Sequence, residues 1–353
     1  MSQTGEAPTK LTTIDYYPVI NHPITDYKTV QECLRAAQEA TEEGGQSYVI
    51  TTFDLGVCMK AYPLVWNSPQ NHEKHIILVG TFHLVCAHMK MIGKKMVGTG
   101  LGDALVEAGL ISGGSLDGVI SGKHYNRALH CQKAMLECLK RLLLEEFLKE
   151  QNADQIFASV TAESLEKLQS LAESSSQDTL EAVSTDLSID RILAAYAEFR
   201  RKTTNGHLGK TAQLWLSYVD HIRLVLFLLE AVTTNNFLLY AQSMSRMGPL
   251  FFSFWGQNYA RYLAYFSVFL ANIETSHPGA VALIERKAIS VARSFIPGNR
   301  CAVDKTMKET FMRHAKSHGG ARTSAAGTSG LLTNYQAYQR WVRTTHARSV
   351  VII

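Results

Sequence analysis

Helical spacing of apolar residues over most of the chain is the feature that most constrains its fold. A long helix is predicted from 123 to about 151, and residues 190–290 repeat apolar side chains every three or four positions. Only two short runs, 48–53 and 75–80, are rich in β-branched residues and favour strands. The pattern predicts a mainly helical α/β protein with a small strand-containing core in residues 48–122.

Glycine and proline mark where this helical pattern is interrupted. We predict a first helix over 26–43, ended by Gly44-Gly45, and breaks in the 190–290 region at the sequences listed next. The breaks are Asn205-Gly206, Gly248-Pro249 and His277-Pro278-Gly279. Further helices are expected near 82–96, 101–109, 304–316 and 333–346.

The length of 353 residues exceeds that of most single cores, and the apolar share of 46% is typical of a folded globular chain. We therefore divide the chain into five segments. They are an extended N-terminal segment (1–25), an α/β core with its long helix (26–150), a polar helical excursion or linker (151–209), a helical region (210–299) and a basic C-terminal segment packing on the core (300–353).

Cysteine usage and hydropathy indicate the compartment. The six cysteines are scattered without a CxxC pair, and no signal-like segment opens the chain, so reduced thiols of a nuclear or cytoplasmic protein are expected. The most apolar stretches, 211–232 and 250–271, are interrupted by charges such as Asp220 and Arg261. We expect no membrane span and no membrane partner.

Two groups of basic residues are candidate phosphate contacts. Residues 300–348 hold nine Lys or Arg residues against Asp304 and Glu309, with Arg313, Lys316 and Arg322 as the central candidates. A second group lies on the predicted helix after 122 and consists of Lys123, His124, Arg127 and Lys133. For the first group a solvated surface is the competing interpretation, and for the second a role in tying the glycine-rich loops to the helix.

A third group interleaves aromatic residues with arginine. It runs from Asn258 to Tyr262 and continues with Tyr265 and Phe266. Stacking on exposed bases is one interpretation. The other is core packing, with Arg261 paired to a carboxylate such as Asp220.

Longer runs of residues resemble a known family. They are YVITTFDLGVCMKAYPLVW, HIILVGTFHLVCAHMKMIGKKM, SGKHYNRALHCQKAMLE, NYARYLAYFSVFLANIETSHPG and DKTMKETFMRHAKSHGG. Together, from about residue 10 onward, they resemble an uncharacterised domain-of-unknown-function family that is multicopy in animal genomes and associated with transposons. The resemblance implies a transposon-derived protein, DNA as its partner, and longer family members with a further module upstream.

A transposase-like nuclease core of RNase H type would need acids converging from separate elements to hold Mg²⁺ or Mn²⁺. Asp54 follows the first strand and Glu309 lies on a late helix, so these two are the predicted metal ligands and catalytic acids. The second strand leads into Gly80-Thr81-Phe82-His83 without an acid. Asp220 is then the substitute as third catalytic acid, and the missing acid favours a repurposed core without strand cleavage.

Each of these acids also has a purely structural interpretation. Asp54 can be the N-cap of the following helix, Asp220 can form a buried ion pair, and Glu309 can be an ordinary residue on a helix surface. If these alternatives hold throughout, the chain is a non-catalytic helical interaction protein that uses no cofactor.

Overall fold

A computed structural model describes residues 22–173, 177–254 and 256–310, together with isolated positions before residue 22. The described residues form two compact units. We call residues 88–226 the helical unit, and the described residues of 7–87 and 227–310 the α/β unit. In sequence, the helical unit is a large insertion into the α/β unit, which confirms the predicted class of a mainly helical α/β protein.

The chain enters the α/β unit through alternating helices and strands. These are α1 (Tyr27–Glu43), β1 (Val49–Phe53), α2 (Leu55–Asn67), α3 (Pro69–His72), β2 (His75–Val79) and α4 (Thr81–Lys95). Helix α1 begins where the Asp26 carboxylate accepts the Lys28 N–H, and it buries Val30 and Leu34. The predicted first helix and both predicted strands are confirmed to within a residue or two.

Strands β1 and β2 form a two-stranded parallel sheet in register from Val49↔His75 to Phe53↔Val79. β2 is buried along its whole length, and Ile76 and Leu78 are among the largest fully buried side chains. Parallel strands end at the same edge of a sheet. Residue 54 and residues 80–83 therefore emerge side by side.

The helical unit contains most of the helices in the middle of the chain. They are α5 (Leu101–Glu107), a 3₁₀ turn (Gly113–Ser115), α6 (Leu116–Ile120), α7 (Tyr125–Gln151), α8 (Ala153–Phe157), α9 (Ala162–Glu173), α10 (Gln177–Ser184), α11 (Leu187–Thr204) and α12 (Gly209–Thr234). Phe147, Phe199 and Tyr218 are fully buried here. The stretch 151–190 is helical in its described residues, and the Ser164 hydroxyl donates to Asp186, the N-cap of α11, at 2.9 Å.

The remaining elements return to the α/β unit. They are α13 (Phe237–Ser253), α14 (Gln257–Ala271), α15 (Ile273–Ser276), α16 (Ala280–Lys287), β3 (Ser290–Ala292), β4 (Arg300–Ala302) and α17 (Val303–Glu309). β3 and β4 pair antiparallel, and the sequence did not predict them because three residues are too few to show a strand period. The predicted helix at 304–316 is α17 in its first half. Residues beyond 310, including the predicted helix at 333–346, lie outside the described residues.

Two of the three predicted helix breaks are confirmed, at 205–206 and at 277–279. The break at Gly248-Pro249 is wrong, because α13 continues through it to Ser253. Met247, Gly248 and Phe251 are buried, and α13 packs against α14, so tertiary packing outweighs the hydrogen bond that proline removes near the end of the helix.

Two further expectations concern membrane and redox chemistry. None of the described helices combines the length and the apolar character that a membrane span needs. All six cysteines are free thiols, and Cys33, Cys58 and Cys131 are buried.

A pair of histidines is buried inside the helical unit. His88 on α4 and His221 on α12 lie with ring centroids 5.7 Å apart, and the Lys95 ammonium is 3.0 Å from His221 Nε2. Burial lowers the pKa of His88 to about 3, with the neighbouring His221 as a second cause. Burial, and then the charge of Lys95, lower the pKa of His221 to about 4. Both rings are therefore neutral at pH 7.

These shifts make the protein's stability depend on pH. The folded-state pKa values lie below the ordinary histidine value of about 6.5, so the unfolded chain binds more protons as pH falls below that value. We expect His88 alone to lower the free energy of unfolding by on the order of 1 kcal/mol per pH unit between about pH 6.5 and pH 4, and His221 to add to this drop. Urea unfolding across this range should show a smaller drop for His88→Leu. His130 is exposed, so His130→Leu serves as control and should show the same drop in the free energy of unfolding as the wild type. Equal drops in all three proteins would show that His88 does not cause the pH dependence.

Candidate functional site

The edge where β1 and β2 end is the first candidate site. Asp54 follows β1 directly, and its Oδ1 accepts the Val57 N–H at 2.9 Å, so the carboxylate is the N-cap of α2. The structural alternative for this residue is thus observed. Asp54 remains exposed, which leaves oxygen lone pairs available to solvent or a ligand.

At the end of β2, a carboxylate from far along the chain occupies the N-terminus of α4. Asp304 Oδ1 accepts the Phe82 N–H at 3.1 Å, and Oδ2 accepts the His83 N–H at 3.2 Å. The same Oδ2 lies 3.1 Å from His83 Nδ1. The Asp304 side chain is only 8% exposed and that of His83 41%, so a buried carboxylate holds a half-exposed imidazole in place.

Gly80 makes this arrangement possible. A Cβ built on Gly80 would lie 2.5 Å from Asp304 Oδ2 and 3.1 Å from the Phe53 carbonyl oxygen. The Gly80 N–H also donates to that carbonyl at 2.7 Å. Only a residue without a side chain lets the carboxylate approach the edge of the sheet this closely.

The carboxylates of Asp54 and Asp304 both act on the pKa of one neighbouring side chain, Tyr259. Burial, and next to it the negative charges of Asp54 and Asp304, raise the pKa of the Tyr259 hydroxyl. Burial also raises the pKa of the Cys86 thiol to about 11, although Lys308 and Lys305 act against this. A thiol that stays protonated at pH 7 is a poor nucleophile, so the Asp304–His83 pair has no activated cysteine at its side.

The acids predicted from the sequence do not assemble into a metal site. Glu309 is paired with Arg293 at 3.0 Å and with Lys305 at 3.6 Å. Asp220 belongs to the helical unit, where it forms an ion pair with Arg200. Within the described residues, no group of three or more His, Cys, Asp or Glu side chains is arranged to hold a metal ion. Asp54 and Glu309 therefore do not fit a Mg²⁺ or Mn²⁺ centre in the arrangement of the described residues.

The second candidate site is the first two thirds of helix α7, with the residues just before it, in the helical unit. Its exposed basic residues, which we call the α7 stripe, are Lys123, Arg127, Lys133, Lys140 and Arg141. His124 and His130 are also exposed, and Glu137 is the only acidic residue from 123 to 141. At 100° per residue these five groups spread over about 140° of the helix circumference and extend along it for about 25 Å.

Part of the α7 stripe also ties neighbouring loops to the helix. A Cβ on Gly118 would lie 2.6 Å from the His124 ring, and Arg127 Nη1 donates to the Ser115 hydroxyl at 3.3 Å. Both interpretations of this group are therefore compatible with the structure. Arg313, Lys316 and Arg322, the other predicted phosphate contacts, lie outside the described residues.

A family described as a domain of unknown function (DUF8702) matches residues 1–352. The chain belongs to the DUF8702 family. No curated protein and no solved structure matches it.

Asp304 is the residue at the site that the sequence did not single out. It was noted only as an acid upstream of Glu309, because its partners Phe82 and His83 lie 222 and 221 positions away. Gly80 was the one feature of the sequence that pointed to a distant group at this helix end. A glycine directly after a buried strand and before a helix that lacks its own capping side chain indicates that another group occupies that space.

Replacing Gly80 tests the close approach of Asp304. Gly80→Ala should lower the free energy of unfolding by about 1 to 3 kcal/mol, because the new methyl group overlaps the carboxylate. Gly113→Ala is the matched control, since no atom lies within 4 Å of its added Cβ, and it should change stability by less than about 0.5 kcal/mol. Urea unfolding measures both.

A double variant distinguishes the carboxylate from other causes. In an Asp304→Ser background the Gly80→Ala change should cost less than in the wild-type background, because the overlapping oxygen is gone. Additive effects of the two substitutions would show that Gly80 and Asp304 are not coupled.

Proposed function

We propose that this DUF8702 protein binds nucleic acid through the α7 stripe and that its α/β unit is a repurposed, transposon-derived nuclease-like core that does not cleave strands. The observation that carries the binding part is the exposed set of five basic side chains from Lys123 to Arg141, in which Glu137 is the one acidic neighbour and pairs with Arg141 at 3.3 Å. Lysine and arginine in such a set contact successive phosphates of a nucleic-acid backbone.

The charge of α7 changes along its length, which supports a local function for the stripe. After Arg141 the helix carries Glu145, Glu146 and Glu150 with one lysine, Lys149, which pairs with Glu146 at 3.3 Å. A helix that only needed solubility would mix both signs throughout. The concentration of positive charge from Lys123 to Arg141 is what a polyanion would recognise.

The geometry of the carboxylates supports the absence of cleavage. A metal-dependent nuclease needs acids whose oxygens are free to bind cations. Asp304 accepts two N–H groups of α4 and contacts the His83 ring, whereas Asp54 caps α2 through one oxygen and keeps lone pairs for a ligand, so only one of these two carboxylates is available to a cation. Both acids stabilise helix ends, and His83 occupies the position after β2 at which a nuclease of this type would carry a further acid.

A non-catalytic interaction protein is the second candidate, and one observation favours it. Helices α9 to α11 expose leucine side chains, with Leu165 59%, Leu187 75% and Leu193 56% exposed. Exposed apolar residues at this density are common where another protein docks. This role would belong to the region 151–209 and needs no cofactor.

Binding to labelled single- and double-stranded DNA across a salt series tests the proposal. Replacing Lys123, Arg127 and Lys133 together by Gln should weaken binding and reduce the slope of log K against log salt by about 2 to 3, because three phosphate contacts are lost. The matched control replaces Lys149, Arg201 and Lys210 by Gln, which changes the net charge equally at exposed positions outside the stripe. The control should keep the wild-type slope.

The same assay, run with Mg²⁺ or Mn²⁺, checks for cleavage by scoring nicked product. We expect retention of DNA without nicking. Nicking that Asp54→Ala abolishes would overturn the non-cleaving part of the proposal. No binding even at low salt would overturn the nucleic-acid part and leave the interaction protein.

A further inference from the structure

A row of aromatic rings crosses the α/β unit, well away in sequence from the α7 stripe. We call it the aromatic track, and it consists of Trp66, Tyr265, Phe269, His277 and Tyr48. Successive ring centroids are 4.9, 6.2, 5.9 and 5.2 Å apart in that order. The rings come from α2, from α14, from the turn before α16 and from the segment before β1, so the fold assembles the row from four places.

The aromatic track lies at the edge of the buried core, where the buried Tyr62 contacts both Trp66 and Tyr265 at ring-centroid distances of 5.7 and 5.1 Å. On α14 the core face is formed by Tyr262, Phe266 and Leu270, which are almost fully buried. Tyr265 and Phe269 lie on the neighbouring face, four residues apart, and are half-buried. Trp66 at the start of the track is 44% exposed. The residues of the track are therefore only partly buried, although burying an aromatic side chain fully would be more favourable.

Arginines flank the track at both ends. Arg261 precedes Tyr265 by one helical turn, is exposed, and lies 5.5 Å from the Tyr262 ring. At the other end, Tyr48 lines an open pocket of about 210 Å³ together with Pro278, Gly279 and the exposed Arg286. The Glu274 carboxylate beside this pocket accepts the N–H groups of Gly279 and Val281 at 2.6 and 3.2 Å, so it acts as the cap of α16.

We propose that the aromatic track binds single-stranded nucleic acid by stacking its bases, with Arg261 and Arg286 contacting phosphates. Tyr265 and Phe269 are nearly parallel at 16°, and the other neighbouring rings meet edge to face at 66 to 76°. Each exposed ring face can therefore accept one base, because every base has a π-face, and the flanking arginines neutralise the backbone. Two exposed guanidinium groups favour this polyanion over an uncharged proline-rich peptide, the other ligand that aromatic grooves bind. The inference rests on the proposed function in taking nucleic acid as ligand, but it concerns a separate set of residues.

The test compares a labelled oligo(dT) with an abasic oligonucleotide of the same length and charge. At a salt concentration that weakens backbone contacts, the wild-type protein should prefer oligo(dT) by about tenfold or more. Trp66→Leu and Phe269→Leu keep apolar volume but remove the ring, and each should reduce binding to oligo(dT) about tenfold without changing binding to the abasic strand. Trp66→Phe should retain most of the preference.

Controls separate stacking from folding and from the α7 stripe. Val268→Ala removes an apolar side chain that is 64% exposed on the same helix, and it should bind like the wild type. Thermal unfolding confirms that the leucine variants fold. The Gln triple variant of the α7 stripe should lose salt-dependent affinity but keep the preference for bases, so failure of one site is distinguishable from failure of the other.

Equal binding of oligo(dT) and the abasic strand by the wild type would overturn the proposal. So would a leucine variant that keeps the full preference, or tighter binding of a proline-rich peptide than of oligo(dT) that both leucine variants lose.

Discussion

The Asp304 carboxylate at the N-terminus of α4 is the interaction on which the α/β unit depends. Helix α4 starts directly after β2, and the residue before it is Gly80, which has no side chain with which to cap it. Free N–H groups at a buried helix end are costly. Asp304 supplies the missing acceptor, and it does so 222 positions further along the chain. The segment that follows the helical insertion in sequence is thus joined to the end of the sheet by the hydrogen bonds of the Asp304 carboxylate as well as by apolar packing.

Neighbouring contacts hold this carboxylate in position. β4 pairs with β3 and leads directly into α17, so this strand pairing fixes the position of the first turn of α17, which carries Asp304. One turn later the Lys308 ammonium lies 4.4 Å from the centre of the Phe82 ring. The Tyr240 hydroxyl donates to the Val79 carbonyl oxygen at 3.4 Å, on the strand end that Gly80 follows. A capping role and a catalytic role compete for the same oxygens, because each hydrogen bond accepted by Asp304 occupies a lone pair that a cation would need.

Local patterns made part of this structure predictable. The first helix, both long strands and α7 follow from apolar spacing and from residues such as Asp26 and Gly44 at helix ends. The capping role of Asp54 was also open to prediction, since it depends on Val57 only three residues away. The role of Asp304 was not, and neither was the Arg200 partner of Asp220, because both depend on contacts between distant segments. Glu309 was chosen from its place on a late helix, where Arg293 pairs with it from the segment after β3.

The aromatic residues of α14 show why the sequence cannot tell core residues from residues of a binding surface. Tyr262 and Phe266 face the core, whereas Tyr265 and Phe269 are shifted by about 60° around the helix axis, as the spacing of 3.6 residues per turn requires. In the sequence the two pairs look alike, and only Trp66, brought in from α2, marks the second pair as the start of a continuous row. Stacking on such a row depends little on salt, while contacts of the α7 stripe depend on it strongly. A protein with both would be drawn to a nucleic acid by charge and would hold unpaired bases by contact, and neither step requires a reactive group.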